Sequence, residues 1–156
     1  MTTVAEPSDF LQAASRVVDL LGVAKKAQRS LGSAILLHEY LNAGLPSRAL
    51  FAAAKPGGIA IEELLPVFGI SVRTLARLKA DPDKRLDSNQ SARLWRYAAA
   101  LTNAVDVLGT AELAAEWMTR PAMALENRRP IELLQTEVGA KLVNDVLDRM
   151  RYGVYQ

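Results

Sequence analysis

Two arginines one helical turn apart, Arg73 and Arg77, have the clearest chemical potential in this sequence. Arginine binds phosphates and base edges through a planar fork of N–H donors, and an i, i+4 pair points to one side of a helix. Ser71 precedes them at a predicted helix start, where a hydroxyl and free backbone N–H groups form a natural phosphate contact. This spacing predicts a helix surface that binds nucleic acid.

The charge distribution along the chain supports this interpretation. The whole chain has a net charge of only +2, but residues 71–105 contain seven basic and three acidic side chains, a net charge of +4. A basic stretch of this kind favours contact with a polyanion. The predicted DNA-binding residues are Ser71, Val72, Arg73, Thr74, Arg77, Lys79, Lys84 and Arg85.

The elements that would position these side chains form a helix-turn-helix pattern. Residues 61–68 place Leu64, Leu65 and Phe68 on one face, Gly69 permits a sharp turn, and residues 72–79 form the second helix. Pro66 lies inside the first helix, so we expect a kink or a shifted helix start. The alternative interpretation is a helical corner whose basic face is only solvated.

Helical periodicity also dominates the rest of the chain and predicts an all-α fold. Three regions are predicted: an N-terminal helical region over 1–45, a DNA-binding helix-turn-helix bundle over 46–108, and a small helical domain over 109–156. Helix starts are expected after Ser8, near Ser33, at 47, after Asp87 with Gln90 in capping-box spacing, at 111, at 131 and at 137. The last helix is predicted to bury Val138, Leu142, Val146 and Met150, and Trp95 and Trp117 are predicted to be core residues.

Enzymatic and metal chemistry find little support in the composition. The chain has no cysteine and one histidine, His38, with no second ligand spaced to complete a metal site. No nucleophile is paired with a base, so we expect a protein without catalytic activity or cofactor. No signal peptide or membrane-spanning segment is predicted, and the expected location is the cytoplasm.

The C-terminal third contains a series of short motifs in a defined order. A helix with Trp117 is followed by a Pro-x-x-x-Leu loop from Pro121, a Pro-Ile-x-Leu-Leu helix from Pro130, a Thr-Glu-x-Gly step from Thr136 and a terminal Tyr-Gly-Val from Tyr152. Asn127 stands where a glycine is expected in the loop, and asparagine tolerates the left-handed conformation.

These motifs resemble the toxin-binding domain of the Xre/MbcA/ParS antitoxins, which are paired with RES-domain toxins. The Ser-x-Arg-Thr-Leu segment from Ser71 and the Arg-Leu-x-x-x-x-Ser-x-Arg-Leu segment from Arg85 are similar to the Xre-like unit of the same family. The resemblance extends over about residues 44–156.

The resemblance implies an antitoxin that neutralises an NAD-consuming, ADP-ribosyltransferase-like RES toxin by occluding its active site, and that represses its own operon. The implied toxin-binding residues are Arg120, Arg128, Arg129, Arg151, Tyr152, Gly153, Val154, Tyr155 and Gln156. The two tyrosines of the tail would fill an apolar cleft of the toxin, whereas the alternative is a frayed terminus without function. Operator DNA and a homodimer are the other expected partners, and residues 1–45 either mediate dimerisation or pack on the core.

Two other functions stay open at this point. The chain could be a helix-turn-helix transcriptional regulator without a toxin partner, whose C-terminal unit only dimerises. It could also be a small helical enzyme whose site lies in a groove that the sequence does not reveal.

Overall fold

The computed structural model describes residues 7–153, and these residues form an all-α fold, as predicted. The ten α-helices are α1 (Pro7–Leu20), α2 (Ala24–Ala27), α3 (Ala34–Ala43), α4 (Ser47–Ala54), α5 (Ile61–Phe68), α6 (Val72–Ala80), α7 (Ser88–Leu108), α8 (Ala111–Thr119), α9 (Pro130–Leu133) and α10 (Glu137–Arg151). Short 3₁₀ helices occupy Gln28–Gly32, Pro56–Gly58 and Met123–Leu125. Within residues 7–153, no helix combines the length and apolar character needed to cross a bilayer.

Side-chain caps mark the starts of five of the ten α-helices. Ser33, Ser71, Thr110 and Thr136 each accept a hydrogen bond from a backbone N–H of the helix that follows, and Asp87 forms a capping box with Gln90. Each cap satisfies one of the backbone donors that a helix start otherwise leaves without a partner. The prediction of a cap at Ser8 is wrong, because α1 already begins at Pro7, whose fixed φ suits a first helical turn.

Helix α7 is the central element of the fold. Helices α1, α3, α5, α8 and α10 all pack against it, and Leu94, Tyr97, Ala98, Leu101 and Ala104 are buried along it. The ring of Tyr97 meets that of Phe68 edge to face, with centroids 5.5 Å apart, and joins α7 to α5. Burial raises the pKa of the Tyr97 hydroxyl, so this phenol is neutral at any physiological pH.

The N-terminal region packs on this core. Ala14, Val17 and Val18 of α1 are buried, as is Leu21 directly after the helix, and Arg16 forms an ion pair with Asp106 of α7. Phe10, nearer the start of α1, has 48% of its surface exposed. Residues 7–45 therefore pack on the core, and the other role predicted for residues 1–45, dimerisation, stays a prediction.

Two buried serines join α4 to its surroundings. The Ser47 hydroxyl donates to the carbonyl of Asp81 at 2.6 Å, which ties the start of α4 to the end of α6. The Ser91 hydroxyl accepts from the backbone N–H of Leu45 at 2.9 Å, so α7 holds the segment that enters α4. Buried polar groups usually form hydrogen bonds, and these two bonds fix the start of α4 against the end of α6 and against α7.

Candidate functional site

The turn between α5 and α6 has the geometry of a helix-turn-helix. Gly69 ends α5 in the left-handed conformation, with φ 67° and ψ 38°, which a side chain would disfavour. Leu64, Leu65 and Phe68 of α5 are buried, and so is Ile70 in the angle between the helices. These placements agree with the sequence pattern.

Pro66 does not shift the start of α5 as expected. The helix runs from Ile61 to Phe68 through the proline. The backbone bond that is lost would have reached the carbonyl of Glu62, and both Glu62 and Pro66 are exposed, so water can bind this carbonyl instead. The penalty of an internal proline is therefore reduced at this position.

Helix α6 presents its polar face to solvent. Leu75 and Leu78 are buried, whereas Val72, Arg73 and Arg77 are exposed, as predicted. The Ser71 hydroxyl accepts the backbone N–H of Thr74 at 3.1 Å and therefore caps the helix. Within residues 7–153, neither Arg73 nor Arg77 has a carboxylate within 4.0 Å, so both guanidinium groups are available to a ligand.

The basic residues after Arg77 fall into two groups. Lys79 and Lys84 are exposed, but the guanidinium of Arg85 donates to the carbonyl of Gly44 at 2.8 Å and closes the end of α3. Arg85 therefore forms an intramolecular contact that stabilises the fold. Its predicted contact with DNA, like those of the other residues of this set, stays a prediction.

The residues that follow α7, 109–153, are called the C-terminal unit below. In this unit, residues 120–129 form a compact loop. The N–H of Ala122 donates to the carbonyl of Arg128 at 3.0 Å, and this bond closes the loop. Asn127 is in the left-handed region with φ 60°, as predicted, and Glu126 shares this conformation with φ 55°. The loop therefore exposes Arg120, Arg128 and Met123, the last with 90% of its surface in solvent.

The Pro-Ile-x-Leu-Leu and Thr-Glu-x-Gly motifs build the step from α9 to α10. Pro130 opens α9, Ile131 and Leu134 are buried, and the Thr136 hydroxyl accepts the N–H of Gly139 at 3.0 Å. A methyl group on the Cα of Gly139 would overlap the carbonyl oxygen of Leu133. The glycine of the motif thus permits a close approach between two backbone segments.

Gly139→Ala tests this packing. Alanine normally stabilises a helix interior by roughly 1 kcal/mol relative to glycine. Here we expect a loss of at least about 2 kcal/mol, because the methyl group must displace the Leu133 backbone. The free energy of unfolding from urea titration measures the change, and Val138→Ala, at a neighbouring position with 74% exposure, is the control. A stabilised Gly139→Ala variant would contradict the close contact.

The buried face of α10 differs from the predicted one. Val138 and Leu142 are 74% and 48% exposed, and the core face consists instead of Gly139, Ala140, Val143, Val146 and Leu147. The prediction of Val138 and Leu142 as core residues is wrong, whereas Val146 is confirmed. Small residues at the start of α10 allow it to approach its neighbours closely, so the larger apolar side chains turn outward. Trp95 and Trp117 are only half-buried.

Arg129 connects the C-terminal unit to the helix-turn-helix. Its guanidinium lies 3.4 Å from the carboxylate of Glu63 on α5 and 3.6 Å from that of Glu132 on α9. These residues line a polar groove of about 550 Å³ together with Arg128 and Gln135. Arg129 is thus partly occupied by intramolecular contacts. The contact between Arg129 and Glu63 was not predicted, because the two residues are 66 positions apart in the sequence.

The base of the predicted tail lies at the end of α10. Tyr152 has 75% of its surface exposed, Gly153 has a φ of 67°, and Arg151 donates a hydrogen bond to Asn103 of α7. Arg151 was predicted to contact the toxin, but here its side chain anchors the last helical turn. The predicted residues Val154, Tyr155 and Gln156 lie outside the described residues.

An apolar surface along α8 was missed by the sequence reasoning. Leu113, Trp117 and Pro121 line a cavity of about 380 Å³ with Leu108 at its edge, and 49% of the Leu113 surface is exposed. Leu113 and Trp117 are one helical turn apart, and this i, i+4 spacing was the available signal. Among the described residues, no group of three or more acidic or histidine side chains could hold a metal ion.

Comparison with known families matches both units. A model of the antitoxin Xre-like helix-turn-helix domain matches residues 36–99, and a model of the antitoxin Xre/MbcA/ParS C-terminal toxin-binding domain matches residues 103–153. Together the two models cover more than two-thirds of the chain. The chain belongs to the Xre/MbcA/ParS antitoxin family.

Two curated relatives are consistent with this membership. A protein of Yersinia enterocolitica named Antitoxin Xre is 36% identical over 94 residues, and a protein of Photorhabdus laumondii with the same name is 29% identical over 119 residues. The matches span 60% and 76% of this chain, and 63% and 80% of the respective relatives. The family is one of binding proteins, so the prediction of a protein that is not an enzyme is confirmed at the level of the family.

Proposed function

We propose that this protein is the antitoxin of a toxin–antitoxin pair, and that it binds a RES-domain toxin through its C-terminal unit and operator DNA through α6. The observation that carries the proposal is the match of residues 103–153 to a toxin-binding domain in a chain whose preceding unit matches a helix-turn-helix. The alternative interpretation is a regulator without a toxin partner. It does not explain why residues 103–153 match a toxin-binding domain.

Exposed apolar side chains in the C-terminal unit support a protein partner. Five of the nine large apolar side chains that the structure describes as exposed lie in this unit: Leu113, Met123, Val138, Leu142 and Tyr152. Exposed apolar groups that gather in one region are typical of binding surfaces, because isolated monomers seldom expose them together. Arg120, which lines the same cavity as Leu113, and the exposed Arg128 also belong to this unit and supply charge that can select the partner.

The end of α10 supports occlusion of the toxin's active site. Tyr152 is exposed directly after the helix, and Gly153 has a left-handed conformation. A tyrosine ring fills a cleft built for nicotinamide or adenine, and its hydroxyl can take up the polar contacts of the cleft. In this proposal Tyr152 and Tyr155 together displace NAD, and the antitoxin inhibits without chemistry of its own.

DNA binding would make the antitoxin a repressor of its own operon. Arg73 and Arg77 can both reach base edges in the major groove, where an arginine forms a two-point contact with guanine. Helix-turn-helix proteins bind paired half-sites as dimers, so the protein acts as a homodimer in this proposal.

Co-expression tests the proposal as a whole. We expect the gene beside this one to encode a RES-domain toxin. Cells that express that toxin should stop growing and lose NAD, and co-expression of this chain should restore both. A chain with Leu113→Ser and Met123→Ser, two exposed positions of the C-terminal unit, should bind the toxin less well without a loss of fold. Purification of the tagged chain should recover the toxin in a complex. Full toxicity in the presence of the soluble chain would refute the proposed function.

A further inference from the structure

A basic surface lies beside the recognition helix and away from Arg73 and Arg77. Lys79 is six residues after Arg73 and two after Arg77, so at 3.6 residues per turn its side chain points about 120° away from the first and about 160° away from the second. It is exposed, and it lies next to α4 rather than on the face formed by the two arginines. The face of Arg73 and Arg77 and the flank of Lys79 are thus two separate surfaces.

The Lys79 flank borders an open pocket of about 450 Å³ with a distinctive lining. Its walls are Leu21, Phe51 and Ala52, and its cationic side chains are Arg48, Lys55 and Lys79. No acidic residue lines it, although Arg48 forms an ion pair with Asp83 at 2.7 Å on the rim. Within residues 7–153, no carboxylate lies within 4.0 Å of the ammonium group of Lys55 or Lys79. The pocket therefore attracts an anion that also has an apolar surface.

The dimensions of DNA indicate which anion this is. The major groove is about 12 Å wide, and an α-helix with its side chains is about 10–12 Å across. When a recognition helix lies in the groove, one face of the helix points to the bases, and its other sides point towards the two phosphate backbones. A lysine that points away from the bases and lies beside α4 can therefore reach one of the two backbones.

We propose that Lys55 and Lys79, with Arg48 beside them, bind the sugar–phosphate backbone that borders the groove read by Arg73 and Arg77. The phosphates would lie against the two ammonium groups, and a deoxyribose would contact Phe51. This inference rests on the proposed DNA binding and extends the binding surface from the helix-turn-helix to α4. The contact carries no base information, because phosphates are the same in every sequence.

A structural role of the two lysines is the alternative. Lys55 follows the last residue of α4 and Lys79 lies in the last turn of α6, where cations stabilise the partial negative charge of a helix end. This role predicts a change in thermal stability on substitution. It predicts no change in the salt dependence of DNA binding, since that quantity counts the phosphates that the protein neutralises.

The test measures DNA affinity against salt concentration for the full chain and for Lys55→Gln combined with Lys79→Gln. One duplex covers the promoter region directly upstream of the chain's own coding sequence, and a second has the same length and unrelated sequence. We expect the slope of log affinity against log salt to fall by about 1.8 for each DNA-bound copy of the chain, and therefore by about 3.6 for the proposed homodimer, at about 0.9 for each phosphate contact. The loss of affinity should be equal for the two duplexes.

Lys141→Gln combined with Arg149→Gln is the matched control, because it also removes two positive charges, both from exposed positions of α10. Its salt slope should equal that of the unsubstituted chain. An unchanged slope in the Lys55, Lys79 variant would overturn the inference, whether or not its affinity or melting temperature changes. If the unsubstituted chain binds neither duplex, the proposed DNA-binding function fails, and that result is distinguishable from a failure of the backbone contact alone.

Discussion

A chain that ends at Arg151 is expected to bind the toxin much more weakly, while it keeps its fold and its affinity for DNA. Tyr152 and Gly153 are exposed, so their removal leaves the core intact. Aromatic anchors at protein interfaces typically contribute about 2–4 kcal/mol each. Loss of the tail with its two tyrosines should therefore weaken toxin binding at least roughly 100-fold, which is about 3 kcal/mol.

Calorimetric titration of an inactive form of the toxin measures this change, and NAD levels in co-expressing cells report the functional consequence. Tyr152→Phe and Tyr152→Ala separate the contributions of the ring and the hydroxyl, since phenylalanine keeps the apolar area and removes only the polar group. The melting temperature and DNA affinity of the truncated chain are the controls. Full neutralisation by the truncated chain would show that the toxin is held elsewhere, with the surface along α8 as the next candidate.

Replacing both Arg73 and Arg77 by alanine should abolish recognition of the operator and leave toxin neutralisation unchanged. Each two-point contact of an arginine with guanine is worth about 1–3 kcal/mol. The double variant should therefore bind the operator at least roughly 30-fold more weakly. Both side chains are exposed on α6, and alanine is a better helix former than arginine, so we expect no loss of stability.

Band-shift titration with the operator duplex and an unrelated duplex gives the loss of specificity directly. Arg149→Ala is the control, because Arg149 is also exposed but lies on α10 in the C-terminal unit. Growth rescue by the Arg73, Arg77 variant should match that of the unsubstituted chain. If operator affinity is unchanged in this variant, α6 is not the recognition helix.

Local chemistry made most of the fold predictable. Capping residues such as Ser71, Asp87 and Thr136 determine where helices begin, and their effect acts within one turn of the chain. The helix-turn-helix was predictable for the same reason, because Gly69 and the apolar residues around it are close together in the sequence. The short helix α2 and the 3₁₀ turn after it escaped prediction, because four or five residues contain too little periodicity.

The failures share a physical cause, which is contact between segments distant in the chain. The buried face of α10 is defined by Gly139 and Ala140, and small residues add little to an apolar pattern even where they permit the closest packing. Arg129 was predicted only as a partner contact because Glu63 lies in another unit. The C-terminal motifs identified the family, but what each residue touches became clear only in three dimensions.

The continuity of α7 constrains how this protein can evolve. The matches to the two family models end and begin at residues 99 and 103, both inside this single 21-residue helix. One inserted residue between them would rotate the C-terminal unit by about 100° and move it about 1.5 Å along the axis. A recombination that joins the DNA specificity of one antitoxin to the toxin specificity of another must therefore preserve the residue count across this helix. Recombination between related antitoxin genes should therefore favour crossover points that leave the length of α7 unchanged.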